Sequence, residues 1–212
     1  MVYSQRGNNN VYWHTWEYTA KEGMVDDFEK AAAKKTAEFN SSGDHAIMTY
    51  RYVTGPKTGT YLRVQGNKSA ADYDVDRSAE GKYWNDNVGE FIAKSGGQQR
   101  WQQLNNGSYD PDPDNAGTPH KIITKTTYSV KADKVGHFRR FMSRIAKMAQ
   151  ERNWEASRTL YRLVSGGNLN EFVLTIAFDT YQRTGEQQQF ENTFEEDYNA
   201  CLLYTSPSPR DA

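Results

Sequence analysis

Three arginines pose the first chemical question. Arg51 lies in "YRYVTG" (Tyr50 to Gly55) and Arg162 in "YRLVSG" (Tyr161 to Gly166), the same place in two near-identical strings; Arg63 follows in "TYLRV" (Thr60 to Val64). Along an extended chain side chains alternate, so Met48, Tyr50 and Tyr52 share one face while Thr49 and Arg51 share the other. If the aromatic face packs on helices, Arg51 and Arg162 turn, with Arg63, toward a cavity between two copies of one unit. Paired guanidinium groups in such a cavity suit a carboxylate or a phosphate. The competing account places each arginine at a strand end or against a glutamate across the interface between copies.

His14 is the second candidate ligand-binding residue, on a strand with Trp13, Trp16 and Tyr18. His45, His120 and His137 fall at a loop, a linker edge and a helix. "DPDPDN" (Asp110 to Asn115) alternates acids as calcium loops do, but such a loop needs glycine sixth and glutamate twelfth. Asn115 and Lys121 stand there, so the stretch reads as an extended, solvated linker. Lys134, Arg139, Arg140, Arg144, Lys147 and Arg152 give one helix a basic face, which Glu191, Glu195, Glu196 and Asp197 on a neighbouring helix would offset. The sequence holds no Gly-rich phosphate loop, HExxH, nucleophile elbow or paired catalytic carboxylates. No catalytic residue and no metal ligand set is assigned.

The elements that must position these residues come twice. "EYTAKEGMVDDF" (Glu17 to Phe28) aligns with "TYSVKADKVGHF" (Thr127 to Phe138), and "TYLRV" aligns with "EFVLT" (Glu171 to Thr175). Three ordered matches at near-constant offset indicate an internal duplication. "VYWHTWEYT" and "KIITKTTYSV" read as first strands, being rich in β-branched and aromatic residues. Helical spacing follows in Val25, Phe28, Ala32 and Phe39, and again in Val135, Phe138, Met142 and Ile145. "IMTYRYVTG" and "SRTLYRLVSG" are second strands, "TYLRVQ" and "EFVLTIAF" third strands, paired to the second as hairpins. Second helices are expected around Tyr83 to Lys94 and Gln187 to Asn199, and "QQRWQQLNNGSY" supplies a fourth strand to copy one. The expected domains are residues 11–106, a linker at 107–119, and a second repeat at 120–200.

The order β-α-β-β-α(-β) predicts an α+β fold: two tandem ferredoxin-like units, each an antiparallel sheet with helices on one face. The bare faces can cover one another, forming a pseudo-dimeric α/β barrel. In that pattern, with "K-x-G" or "K-x-D" before each first helix, the chain resembles the dimeric α/β-barrel superfamily of antibiotic-biosynthesis-monooxygenase and NIPSNAP type. The resemblance implies pairing of units as homodimers or tandem repeats, here a monomer first and a homodimer second. Some members are haem-degrading or quinone-forming monooxygenases, which makes haem at His14 a cofactor to test. Copy two has Thr124 where copy one has His14, and no Asn-Trp-His set is recognisable. The final "CLLYTSPSPRD" (Cys201 to Asp211) resembles translated read-through of a sequencing-library transposase adapter. That implies a truncated second repeat and removes Cys201, the only cysteine, from any argument.

The chain has 212 residues with net charge −1, so no whole-chain field favours nucleic acid or an anionic membrane. Aromatics at 13% argue for a packed core rather than disorder. No apolar run approaches the ~20 residues that span a bilayer, and the opening lacks the apolar segment of a signal peptide. The compartment reads as cytoplasmic, or exported if residues precede Met1. The expectation is a small-molecule-binding or structural protein with its ligand between the repeats. The alternatives are a monooxygenase-like enzyme of the barrel superfamily and a protein-interaction module using sheet edges.

Overall fold

The computed structural model describes residues 10–113 and 119–182. In order, the elements are β1 (Tyr12–Ala20), α1 (Val25–Phe39), β2 (Met48–Arg51), β3 (Tyr61–Lys68), α2 (Ser78–Asn87), β4 (Ile92–Gln103), β5 (Ile122–Ser129), α3 (Val135–Glu151), β6 (Ser157–Ser165) and β7 (Glu171–Phe178). The fold is α+β, and the order β-α-β-β occurs twice. Hydrogen-bonded strand order is β2-β3-β1-β4-β6-β7-β5. The ladders β2–β3, β3–β1, β1–β4 and β4–β6 are antiparallel. No helix among the described residues is long and apolar enough to cross a membrane.

Two compact units emerge. The first takes in, of the described residues, 10–104, Thr127–Asp133 and Leu160–Val173. Its α1 and α2 lie over one face of β1 and β3. Phe28 and Ala32 of α1 are buried with Tyr18, Tyr61 and Val88, and Trp16, Trp84 and Phe91 close the cluster. Ring centroids of Phe28 and Tyr61, and of Tyr18 and Trp84, are 4.8 Å apart, a spacing that adds to simple area burial. The opposite sheet face carries Trp13, Trp101, Tyr161, Leu163 and Val173 as a second cluster. The second unit comprises, of the described residues, 105–113, 119–126, 134–159 and 174–182. There α3 buries Met142, Ala146 and Ala149, while Thr124 Oγ1 donates to the Ile176 carbonyl.

One element departs from the sequence expectation. The second helix of copy one runs from Ser78 to Asn87, not from Tyr83 to Lys94. Asp76 starts it early, because its carboxylate accepts the Ser78 backbone N–H at 2.9 Å. Gly89 then opens a short 3-10 turn, and Lys94 is already strand, paired with Thr19. Part of the expected linker is also fixed: Tyr109 and Arg158 exchange backbone hydrogen bonds at 2.9 and 2.8 Å. The second helix expected in copy two, its acidic residues and the Cys201 to Ala212 tail lie outside the described residues.

Candidate functional site

Register settles where the arginines point. Cross-strand partners share a sheet face; Arg51 is paired with Tyr61, Thr49 with Arg63, and Tyr61 in turn with Tyr18. Tyr18 and Tyr61 pack on Phe28, so Arg51 and Arg63 lie on the face covered by α1 and α2. This reverses the expectation that Tyr50 and Tyr52 pack on helices; the Tyr52 hydroxyl instead donates to Glu17 on the other face. The physical reason is that each face of this strand finds partners, Glu29 for Arg51 and Glu17 for Tyr52. Alternation along a strand therefore sorts side chains without saying which set meets the helices.

The four sequence candidates are not brought together. Arg162 pairs with Gln102 of β4, and its Nε donates to the Leu169 carbonyl at 3.4 Å. Strands β1 and β4 separate β3 from β6, and register offsets the two arginines along the strands as well: Arg63 is level with Trp16 and Gln98, Arg162 with Gln102. Two sites result within the first unit.

The first is a groove of about 580 Å³ between α1 and the β2–β3 hairpin. Helix α1 turns Ala32, Ala33, Thr36 and Ala37 to it, and small side chains there leave the space open. Phe28, Ile47 and Tyr61 form its apolar lining, with Glu29, Thr49 and Arg51 as polar groups. Arg51 Nη1 is 3.9 Å from Glu29 Oε1 and its guanidinium lies 5.6 Å from the Tyr61 ring centre. The Tyr61 hydroxyl donates to Glu29. Burial first, and then that carboxylate, push the Tyr61 pKa up to about 12. Arg51 thus faces a glutamate of its own unit, not one across an interface between copies, and the pair lies at the groove wall.

The second is a polar seam between the sheet and α1 and α2. Lys35, 4% exposed, bonds Asn40 and Glu80. Arg63, 2% exposed, donates from Nη2 to Thr36 Oγ1 at 2.7 Å and lies 4.6 Å from the Trp84 ring centre. Burial is the first cause that lowers its pKa, to about 10. Gln65 accepts from Arg77 Nη1 at 2.8 Å and donates to the His45 carbonyl at 3.1 Å. Next along the seam is His14, with the Tyr73 ring 4.5 Å from its own. Lys68, Arg77 and Arg100 act on it as charges, and Asp72 is 3.5 Å from Lys68. Burial first, and those three cations next, push the His14 pKa down to about 4.

Lys68 reaches this seam because β3 is bulged. Tyr12 pairs with Lys68 but His14 with Gln65, so β3 carries one extra residue, and Asn67 takes φ 55°. A bulge turns the next side chain to the opposite face, and asparagine tolerates that backbone better than most. Gly66 makes room on the reverse side: a Cβ there would fall 2.6 Å from the Trp13 ring. Gly66→Ala is expected to cost about 1–3 kcal/mol by overpacking and to shift tryptophan emission. Urea unfolding followed by fluorescence measures both; a loss below about 0.5 kcal/mol would mean that Trp13 simply swings aside.

Haem does not fit at His14. The imidazole is 4% exposed, Tyr73 and Trp16 pack against it, and the groove is not lined by it. Sequence reasoning missed Lys35, Gln65, Lys68, Arg77 and Glu80. Lys35 alone left a signal, since it falls on the Phe28, Ala32, Phe39 stripe.

Solved structures share the fold. A candidate monooxygenase from Fusobacterium nucleatum matches with TM-score 0.60 and 11% identity over 91% of this chain and 88% of that one. A candidate monooxygenase from Lactobacillus acidophilus gives 0.56 and 8%, over 93% and 83%. A candidate chlorite dismutase gives 0.52 and 13%, over 86% and 85%. These confirm the fold-level resemblance to ferredoxin-like, dimeric α/β-barrel proteins and, at such identities, the fold alone. No protein-family profile matches the chain. No curated protein matches it either.

Proposed function

We propose that the protein binds a small, mostly apolar molecule with one anionic or hydrogen-bonding end, in the groove between α1 and β2–β3. The observation that carries this is the groove itself: about 580 Å³, inside the ~300–1,000 Å³ common to ligand sites. Phe28, Ala32, Ile47 and Tyr61 would take the apolar body, and Arg51 and Thr49 the polar end. The sequence reading put the ligand between the repeats; this groove belongs to the first repeat. Arg51 keeps its ligand-binding role, and Arg63 supports the wall through Thr36. His14 and Arg162 are not among the lining residues.

Native mass spectrometry of the full chain, before and after denaturation, tests the reading. A monomer carrying a small molecule is the expected result. Ala33 is exposed on α1 and lines the groove, so Ala33→Trp should fill it and lose the molecule, with stability within about 0.5 kcal/mol of the parent. Retention of the molecule by this variant would overturn the assignment.

A second reading is a monooxygenase acting on the bound molecule, favoured by two fold neighbours described as candidate monooxygenases. Under aerobic incubation with a two-electron reductant supplied, that activity inserts one atom of O2 into the bound molecule and reduces the other to water, whereas binding alone leaves its mass unchanged.

A further inference from the structure

We propose that the seam around His14 is a binding site for a small oxyanion, separate from the groove. Two buried nitrogens carry the argument. His14 Nε2 and Arg77 Nη2 have no solvent contact and no hydrogen-bond partner among the described residues. A buried polar group without a partner is costly, and Gln65 links the two side chains, pairing with His14 across the strands and accepting from Arg77 Nη1 at 2.8 Å.

Charge points to the sign of that ligand. Arg100 of β4 pairs with His14 across the strands, Lys68 of β3 and Arg77 at the start of α2 also act on the imidazole as charges, and the Arg100 guanidinium lies across the Tyr73 ring. Against these stand Asp72, 3.5 Å from Lys68, and Glu80, 4.0 Å from Arg77 but bonded to Lys35. Among the described residues, three cations act on the imidazole, an arrangement that favours a ligand of negative charge. An oxyanion would accept from the Nε2–H tautomer of His14 and from Arg77 Nη2, with Arg100 and Lys68 as charges. On the solvent side of the seam, Arg77 is 25% exposed and Arg100 is half-buried. Carboxylate and phosphate share the chemistry, so both serve as probes.

The test titrates the full chain at pH 7 with inorganic phosphate and, separately, with acetate, at ionic strength held constant with chloride. Thermal unfolding and the His14 imidazole NMR signals are followed together. At least one probe should raise the unfolding temperature saturably and move the His14 signals, with its titration midpoint rising as an anion offsets the three cations. Arg77→Gln should weaken that binding about tenfold or more, since charge-assisted hydrogen bonds are the strong ones. Arg100→Gln is the second variant if Arg77→Gln unfolds. Absence of saturation with both probes overturns the proposal, as does a chloride effect of equal size. Unchanged affinity in a folded Arg77→Gln or Arg100→Gln variant also overturns it. The groove variant Ala33→Trp should leave the response intact, so failure of one site does not count against the other.

Discussion

Glu80→Leu should destabilise the protein by about 3–5 kcal/mol, the usual consequence of leaving a buried charge without its partner. Lys35 is 4% exposed, and its ammonium has Glu80 and Asn40 as its hydrogen-bond acceptors in the seam. Burial first lowers the Lys35 pKa, while the Glu80 hydrogen bond works the other way. With the carboxylate gone, the neutral Asn40 oxygen remains, and Arg63 and Arg77 repel the ammonium. The reverse truncation is milder: in Lys35→Met, Glu80 still has Arg77 at 4.0 Å. The double variant Lys35→Met/Glu80→Leu should recover much of the loss, because removing both charges removes the uncompensated one. Urea unfolding of the three variants at pH 7 gives the comparison. A Glu80→Leu loss below about 1 kcal/mol would show that Lys35 finds water or another acceptor.

The same residues show what the sequence made legible. Spacing of Val25, Phe28, Ala32 and Phe39 predicted α1, and the helix runs from Val25 to Phe39. Lys35 is on that stripe, and a lysine inside an apolar stripe was a readable sign of a buried polar network. The hairpin and the order of elements followed from alternation and turn glycines. The facing of Arg51 did not. Edge strand β2 has Tyr50 and Tyr52 on one side and Thr49 and Arg51 on the other, and each side offers a carboxylate partner, Glu17 to Tyr52 and Glu29 to Arg51. Only the register with β3 decides, and register is a long-range property.

Lys68 lies beyond sequence reasoning for a different reason. An unbroken β3 would send Lys68 away from Gln65 and toward the Trp13 face; the extra residue at Gly66–Asn67 brings it beside His14. "QGNK" contains turn-prone residues, but nothing local says that they form a bulge inside a strand. Helix α2 was misplaced because its apolar pattern is weak: none of its residues is buried. Its start is set by the Asp76 carboxylate and its role by Glu80, which are polar features that a search for apolar periodicity passes over.

In buffers free of oxyanions, stability should fall by about 2–3 kcal/mol as pH drops from near 6.5 to near 4, with His14 as the cause. The folded pKa of His14, about 4, lies below its ordinary 6.5, so within this window the unfolded chain takes up a proton that the native chain refuses. Each pH unit there costs about 1.4 kcal/mol at most. Above 6.5 the imidazole is neutral in both states and the contribution is complete. The carboxylates act in a lower window. Burial alone would raise Glu80 and Asp72, but hydrogen bonds to Lys35 and to Ser69 hold them below their ordinary values; their contributions are lost only as pH falls past roughly 4.5. His14→Gln keeps an amide in place of the imidazole and removes the titration, so its stability should be nearly flat between pH 6.5 and 4.5 before the carboxylate limb begins. Urea midpoints at half-unit pH steps compare the two proteins. Parallel slopes in that window would mean that His14 protonates in the folded state with little penalty, as it would if an anion already offset Lys68, Arg77 and Arg100. Repeating the series in saturating phosphate decides between that and simple solvent access, because only bound oxyanion makes the slope depend on phosphate.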